Sequence, residues 1–96
     1  MIKKNVPHHS MHTSHPEVQK RLKRAHGHLQ KIITMLDESS PCLDIAQQMQ
    51  AVEKAIKNAK ALLIQDHIDH CLQSSIGKKD AAQETVRQFK EITKYL

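Results

Sequence analysis

From Cys42 to Cys71 the chain runs CLDIAQQMQAVEKAIKNAKALLIQDHIDHC, without one Gly or Pro and filled mostly with good helix formers. Apolar residues recur at Ile45, Met49, Val52, Ile56, Ala59 and Leu63, Asp66 breaks the series, and Cys71 ends it. Steps of three and four are the period of an amphipathic helix. Pro41 precedes the run, where a missing N–H costs nothing in a first helical turn. At 1.5 Å per residue the run makes a rod of about 45 Å. A chain of 96 residues cannot cover such a rod by itself, so a second copy is expected along it.

The remaining segments are read around that rod. Ser14 and Pro16 give a helix start with Glu17 in its first turn, and Val18, Leu22, Ala25, Leu29, Ile32 and Leu36 carry the helix to about Glu38. Gly27 interrupts this helix at a cost of about 1 kcal/mol relative to Ala, which suggests a close helix approach there. Ser39, Ser40 and Pro41 form a turn; Ser75, Ile76 and Gly77 form another. Lys78 to Tyr95 makes a third helix with Ala82, Val86, Phe89 and Ile92 on one side. Residues 1–14 read as a mobile His-rich tail and residues 15–96 as one helical domain. With aromatics at 2% and no alternating β-branched run, the core is aliphatic and the class all-α. Met35 and Met49, on the apolar stripes, are read as core filler.

No apolar run approaches the roughly twenty residues of a membrane span, and the first residues lack the apolar segment of a signal peptide. A cytoplasmic location is expected, with Cys42 and Cys71 reduced and available for metal or redox chemistry. No paired carboxylates or oxyanion-hole signature supports an enzyme acting on a small-molecule substrate.

His67 and Cys71, four residues apart, share one helix face and suit two ligands of one ion. Cys42 begins the same helix more than about 35 Å away along its axis, so it reaches that face only from an antiparallel partner. Twofold pairing then creates two identical sites. Two thiolates and one imidazole suit Cu(I), and with a fourth ligand also Zn(II). His70 points about 100° away from the shared face. His8, His9, His12 and His15 offer Ni(II), Co(II) or Zn(II) an alternative set of donors, against the plainer reading of a solvated tail.

The net charge of +5 favours an anionic partner. Lys20, Lys23, Arg21 and Arg24 on the first helix, and Lys54, Lys57 and Lys60 on the second, form basic stripes suited to phosphate contacts. No helix-turn-helix, zinc finger or basic zipper is present, so DNA would be met across a broad surface.

The runs VQKRLKRAHGHLQKIITML, PCLDIAQQMQAVEKA and HIDHC, with their Cys/His/Cys spacing, resemble the copper-sensitive operon repressor (CsoR/RcnR-type) family over residues 15–95. The resemblance implies a three-helix protomer, an antiparallel dimer and a dimer of dimers. It also implies a metal-free form that binds operator DNA and an effector that releases it. The family's copper ligands fall on Cys42, His67 and Cys71, its first-helix DNA-contacting Arg on Arg21, and a second-helix Arg of some members on Asn58, with Lys57 and Lys54 beside it. Nickel- and cobalt-sensing relatives place a His at the position of Ser10, with His9 and His12 near, and usually a His where this chain has Cys71. Formaldehyde sensors lack the last Cys, and persulfide sensors carry Cys at position 67. Copper sensors often carry a Tyr where this chain has Pro41 and a third-helix Glu, directed at the metal-bound His, where it has Arg87. The reading that follows is a Cu(I)-responsive repressor bound to operator DNA through Arg21, Arg24 and Lys57. The alternatives are a Ni(II)-, Co(II)- or Zn(II)-responsive repressor and a helical metal buffer that leaves DNA alone.

Overall fold

The computed structural model describes residues 13–75 and 79–96, with side chains at 74, 75 and 79–82 left aside. His8, His9, Ser10 and His12, the Ile76–Gly77 turn and the Ala82 side chain lie outside the described residues. Three helices follow in order: α1 (His15–Asp37), α2 (Cys42–Ser75) and α3 (Lys79–Thr93). Among the described residues there is no strand, and the all-α expectation holds.

Helix α1 begins one residue after Ser14, whose hydroxyl donates to Asp66 Oδ2 at 2.6 Å. Asp66 interrupts the apolar series of α2 because its carboxylate accepts this bond. The end of α1 is a Schellman closure: Ser40 N donates to Met35 O at 2.9 Å and Ser39 N to Leu36 O at 3.2 Å. Ser39 occupies the left-handed position with φ 57°, where Gly is the usual residue. Ile45 N donates to Pro41 O at 3.1 Å, so Pro41 caps α2 rather than lying within its first turn.

The chain divides into two compact units, one holding Pro16–Lys60 and the other Ala61–Leu96 with the described end of Met1–His15. In the first, Ala25 and Ile32 of α1 meet Ile45 and Val52 of α2, and Met35 packs against that cluster. In the second, Ile64 and Cys71 are buried.

The apolar series splits into two stripes. On α2, Ile45, Val52 and Ala59 are buried, whereas Met49, Ile56 and Leu63 are exposed. On α1, Val18, Ala25 and Ile32 are buried, and Leu22, Leu29 and Leu36 are exposed. Each set recurs every seven residues, so one helix carries two parallel seams and the chain covers one of them. Met49, 56% exposed, is therefore not core filler, unlike Met35. Gly27 does not serve a close approach either, because a Cβ built there meets nothing within 4 Å. On α3 the expected apolar side is largely open: Val86 and Phe89 are exposed, and Thr85, Gln88, Ile92 and Thr93 are half-buried.

Candidate metal centre

His67 and Cys71 stand one turn apart near the end of α2, and the helical repeat places His67 Nε2 3.4 Å from Cys71 Sγ. Cys71 is only 2% exposed. Its thiol donates to Gln88 Oε1 at 3.2 Å, and Thr85 Oγ1 donates to Cys71 O at 3.4 Å. With the thiol proton directed at Gln88, sulfur accepts from His67, which puts the imidazole proton on Nε2. Gln88 in turn donates through Nε2 to Glu84 Oε2 at 3.0 Å. Glu84, gripped by Arg87 and then by Gln88, is held down to about 2. Burial first, and the Glu84 charge second, push the Cys71 thiol above its ordinary value. The sulfur thus rests as a thiol at neutral pH.

Bond lengths typical of zinc, about 2.3 Å to sulfur and 2.0 Å to imidazole, put tetrahedral S and N donors about 3.5 Å apart. The 3.4 Å separation of His67 and Cys71 lies close to that bite. Among the described residues no third His, Cys, Asp or Glu joins them. Cys42 is exposed at the first residue of α2, the other end of the same helix. The pair is therefore two-thirds of the expected ligand set.

Arg87, which stands where copper sensors often carry a Glu, is exposed and ion-paired to Glu84. The α3 side chains that reach Cys71 are Thr85 and Gln88. Sequence reasoning passed over both, although their spacing of three places them on one helical face.

The basic residues gather on the unit Pro16–Lys60. Arg21, Arg24 and Lys57 are all exposed. Arg21 Nε donates to Glu17 Oε2 at 3.1 Å. Arg21 and Arg24 line a groove with Asn58 of α2, and Lys57 lines the next hollow with Lys54 and Asn58. Asn58 joins the two hollows.

The sequence pattern of metal-sensitive transcriptional repressors matches residues 14–95. Among curated proteins the chain is 36% identical over 81 residues to the copper-sensing transcriptional repressor CsoR of Bacillus subtilis, covering 81% of this chain and 80% of that protein. It is 34% identical over 64 residues to the protein of the same name from Mycobacterium ulcerans, covering 65% of this chain and 55% of the relative. It is 30% identical over 59 residues to the copper-sensing transcriptional repressor RicR of Mycobacterium tuberculosis, with 62% of each covered. No solved structure gives a significant match. Among the described residues no helix is long and apolar enough to cross a membrane.

Proposed function

Because this chain belongs to the metal-sensitive transcriptional repressor family, we propose that it is a Cu(I)-responsive repressor, metal-free on operator DNA and released from it when the metal binds. The observation that carries the choice of metal is the His67–Cys71 pair, a buried soft thiol and a half-buried imidazole already at the spacing of two ligands. Cys42 of a second copy supplies the third donor. A bound Cu(I) contributes a soft acceptor for two thiolates and one imidazole.

The partner copy is supported by the seams left open on both helices. Leu22, Leu29 and Leu36 on α1 and Met49, Ile56 and Leu63 on α2 present large apolar side chains to water in the single chain. Covering them is worth about 25 cal/mol per Å² of apolar surface removed from water. An antiparallel α2 pairing places Cys42 of each chain at the other chain's His67 and Cys71, which yields two sites per dimer. Pairing of dimers into a tetramer follows the family resemblance.

Ligation asks three changes of these residues. Cys71 gives up the proton it donates to Gln88. His67 shifts its proton from Nε2 to Nδ1 so that Nε2 can ligate. Gln88 Oε1 is then left against a thiolate, an acceptor facing an acceptor, so the amide turns and its bond to Glu84 breaks. A change at the end of α2 is thereby passed to α3. Coupling free energies of about 1–3 kcal/mol are ordinary for such linkage. Arg21, Arg24 and Lys57 are the phosphate contacts on which it acts.

A complementation experiment tests the shared site. Cys42→Ala and His67→Ala chains are purified separately, then refolded together, with heterodimers counted by mass spectrometry. Neither mutant alone has an intact site, and each heterodimer regains one tight Cu(I) site. Heterodimers that bind no Cu(I) tightly would remove the two-chain site.

A further inference from the structure

Cys71 Sγ has two polar neighbours at ligand-like distances. His67 Nε2 lies 3.4 Å from it, and Gln88 Oε1 lies 3.2 Å from it. The first separation matches the bite of a nitrogen and a sulfur on one ion. The second is close to that of an oxygen and a sulfur. With about 2.3 Å from a zinc-type ion to sulfur and 2.1 Å to oxygen, tetrahedral donors stand about 3.6 Å apart. A small rotation of the half-buried Gln88 side chain opens the 3.2 Å contact to that bite.

Glu84 settles which end of the Gln88 amide faces the sulfur. A carboxylate only accepts, so the group 3.0 Å from Glu84 Oε2 is the amide nitrogen, and the oxygen is left to Cys71. Glu84 is held in turn by Arg87, three residues on along α3. The carbonyl oxygen is thus presented to the sulfur by a chain of bonds that begins on the exposed face of α3.

An amide oxygen is a hard donor. It suits Zn(II) or Co(II) beside nitrogen and sulfur, and adds little to a soft Cu(I) held by two thiolates and an imidazole. The set Cys42, His67 and Cys71 leaves a Zn(II) ion one donor short of its tetrahedron. We propose that Gln88 Oε1 is that fourth donor, recruited by Zn(II) and ions like it and left out by Cu(I). Gln88 then distinguishes the two kinds of metal. With Cu(I) the oxygen faces a bare thiolate, acceptor against acceptor, and the amide turns away from Glu84. With Zn(II) the ion stands between sulfur and oxygen, that conflict is absent, and the bond to Glu84 survives. A divalent ion thereby fills the site without disturbing α3. The Cu(I) half of this contrast rests on the repressor reading; the fourth donor rests on the two-chain site alone.

The test loads the full, reduced chain with Zn(II) alone or Cu(I) alone. Zn(II) held by the tail histidines is subtracted as the part that survives Cys42→Ala. Gln88→Leu removes the oxygen at nearly constant volume; it lowers Zn(II) affinity about tenfold or more, while Cu(I) affinity stays within about a factor of two. Gln88→Glu keeps an oxygen at that position and restores Zn(II) binding. Equal losses for both metals would reduce Gln88 to a packing support for Cys71, and no loss for either would put it outside the site; each result overturns the proposal. NMR of the Gln88 side-chain amide in the wild-type chain gives a second reading should Gln88→Leu unfold. Zn(II) shifts that amide and leaves its protons protected from exchange by Glu84, whereas Cu(I) exposes them. An amide that Zn(II) leaves unmoved, or that both metals expose, overturns the proposal too. A chain that shows the Zn(II) split but stays on DNA when filled with Cu(I) ends the copper-responsive reading and keeps the fourth donor. A chain released by Cu(I) without the Zn(II) split keeps that reading and loses the donor.

Discussion

His67 Nε2 lies 3.4 Å from Cys71 Sγ, and the same sulfur donates its proton to Gln88 of α3. The two atoms proposed as ligands and the side chain proposed to sense a change in them are therefore packed together. Such a pair needs one more donor. Cys42→Ala is expected to abolish tight Cu(I) binding, measured by competition with a chromophoric Cu(I) chelator. Cys42 is exposed, so folding and metal-free DNA affinity are expected to stay within a factor of two. Loss of helicity in this variant would instead give Cys42 a structural role.

The raised Cys71 thiol sets a pH dependence with a definite sign. Burial and Glu84 favour the protonated form in the fold, so Cys71 contributes full stability below its ordinary value of 9.0. That contribution fades as pH climbs through the higher folded value. Metal binding takes the thiolate, so apparent Cu(I) affinity should rise as pH increases toward that value. Glu84→Gln removes the neighbouring charge and should bring the thiol down, read by ultraviolet thiolate absorbance in a Cys42→Ala background. A titration that does not move, or moves upward, would contradict the assignment.

The helices were readable because their punctuation is local. Ser14–Pro16, Ser39–Pro41 and the unbroken run from Cys42 are signals a chain carries whatever it packs against. Which seam faces inward is different in kind. Val52 and Ile56 both satisfy a helical period, and only the position of α1 buries Val52 and leaves Ile56 in water. The same reason hid the Gln88–Cys71 and His28–Gln48 bonds, each of which joins two helices through an ordinary glutamine. The His67–Cys71 pair was legible because i and i+4 are fixed neighbours on any helix. Asp66, a mere break in the sequence pattern, became explicable once Ser14 was found beside it.

DNA binding through Arg21, Arg24 and Lys57 should weaken steeply with salt, since each phosphate neutralised contributes about −0.9 to the logarithmic slope. Lys57→Ala is expected to flatten the slope by about that amount for each protomer in contact. Unlike a base-reading residue, it should weaken operator and unrelated duplex to similar extents. Anisotropy titrations at several salt concentrations check both points. A slope unchanged by the substitution would take Lys57 out of the interface.

Two backbone positions report on the fold independently of its function. A Cβ at Gly27 meets open space, so Gly27→Ala should stabilise the chain by about 1 kcal/mol through helix propensity. A destabilisation would mean that another copy approaches α1 at that point. Ser39 sits at φ 57° in the Schellman turn, and Ser39→Gly should relieve about 1 kcal/mol of left-handed strain, partly offset by the freer unfolded chain. Denaturant unfolding measures both.

Removing residues 1–12 separates copper from the metals that histidines favour. Cu(I) affinity should be unchanged without them, because Cys42, His67 and Cys71 all remain. A tenfold loss, about 1.4 kcal/mol, would bring His8, His9 or His12 into the site and favour Ni(II), Co(II) or Zn(II) as effector.

The most direct measurement is a titration of Cu(I), without oxygen, into the reduced protein bound to labelled DNA from upstream of its own coding sequence. Anisotropy should fall to the value of free DNA as Cu(I) reaches one equivalent per protomer, and a strong chelator should restore the complex. DNA that stays bound after every Cys42, His67 and Cys71 set is filled would contradict the copper-responsive account.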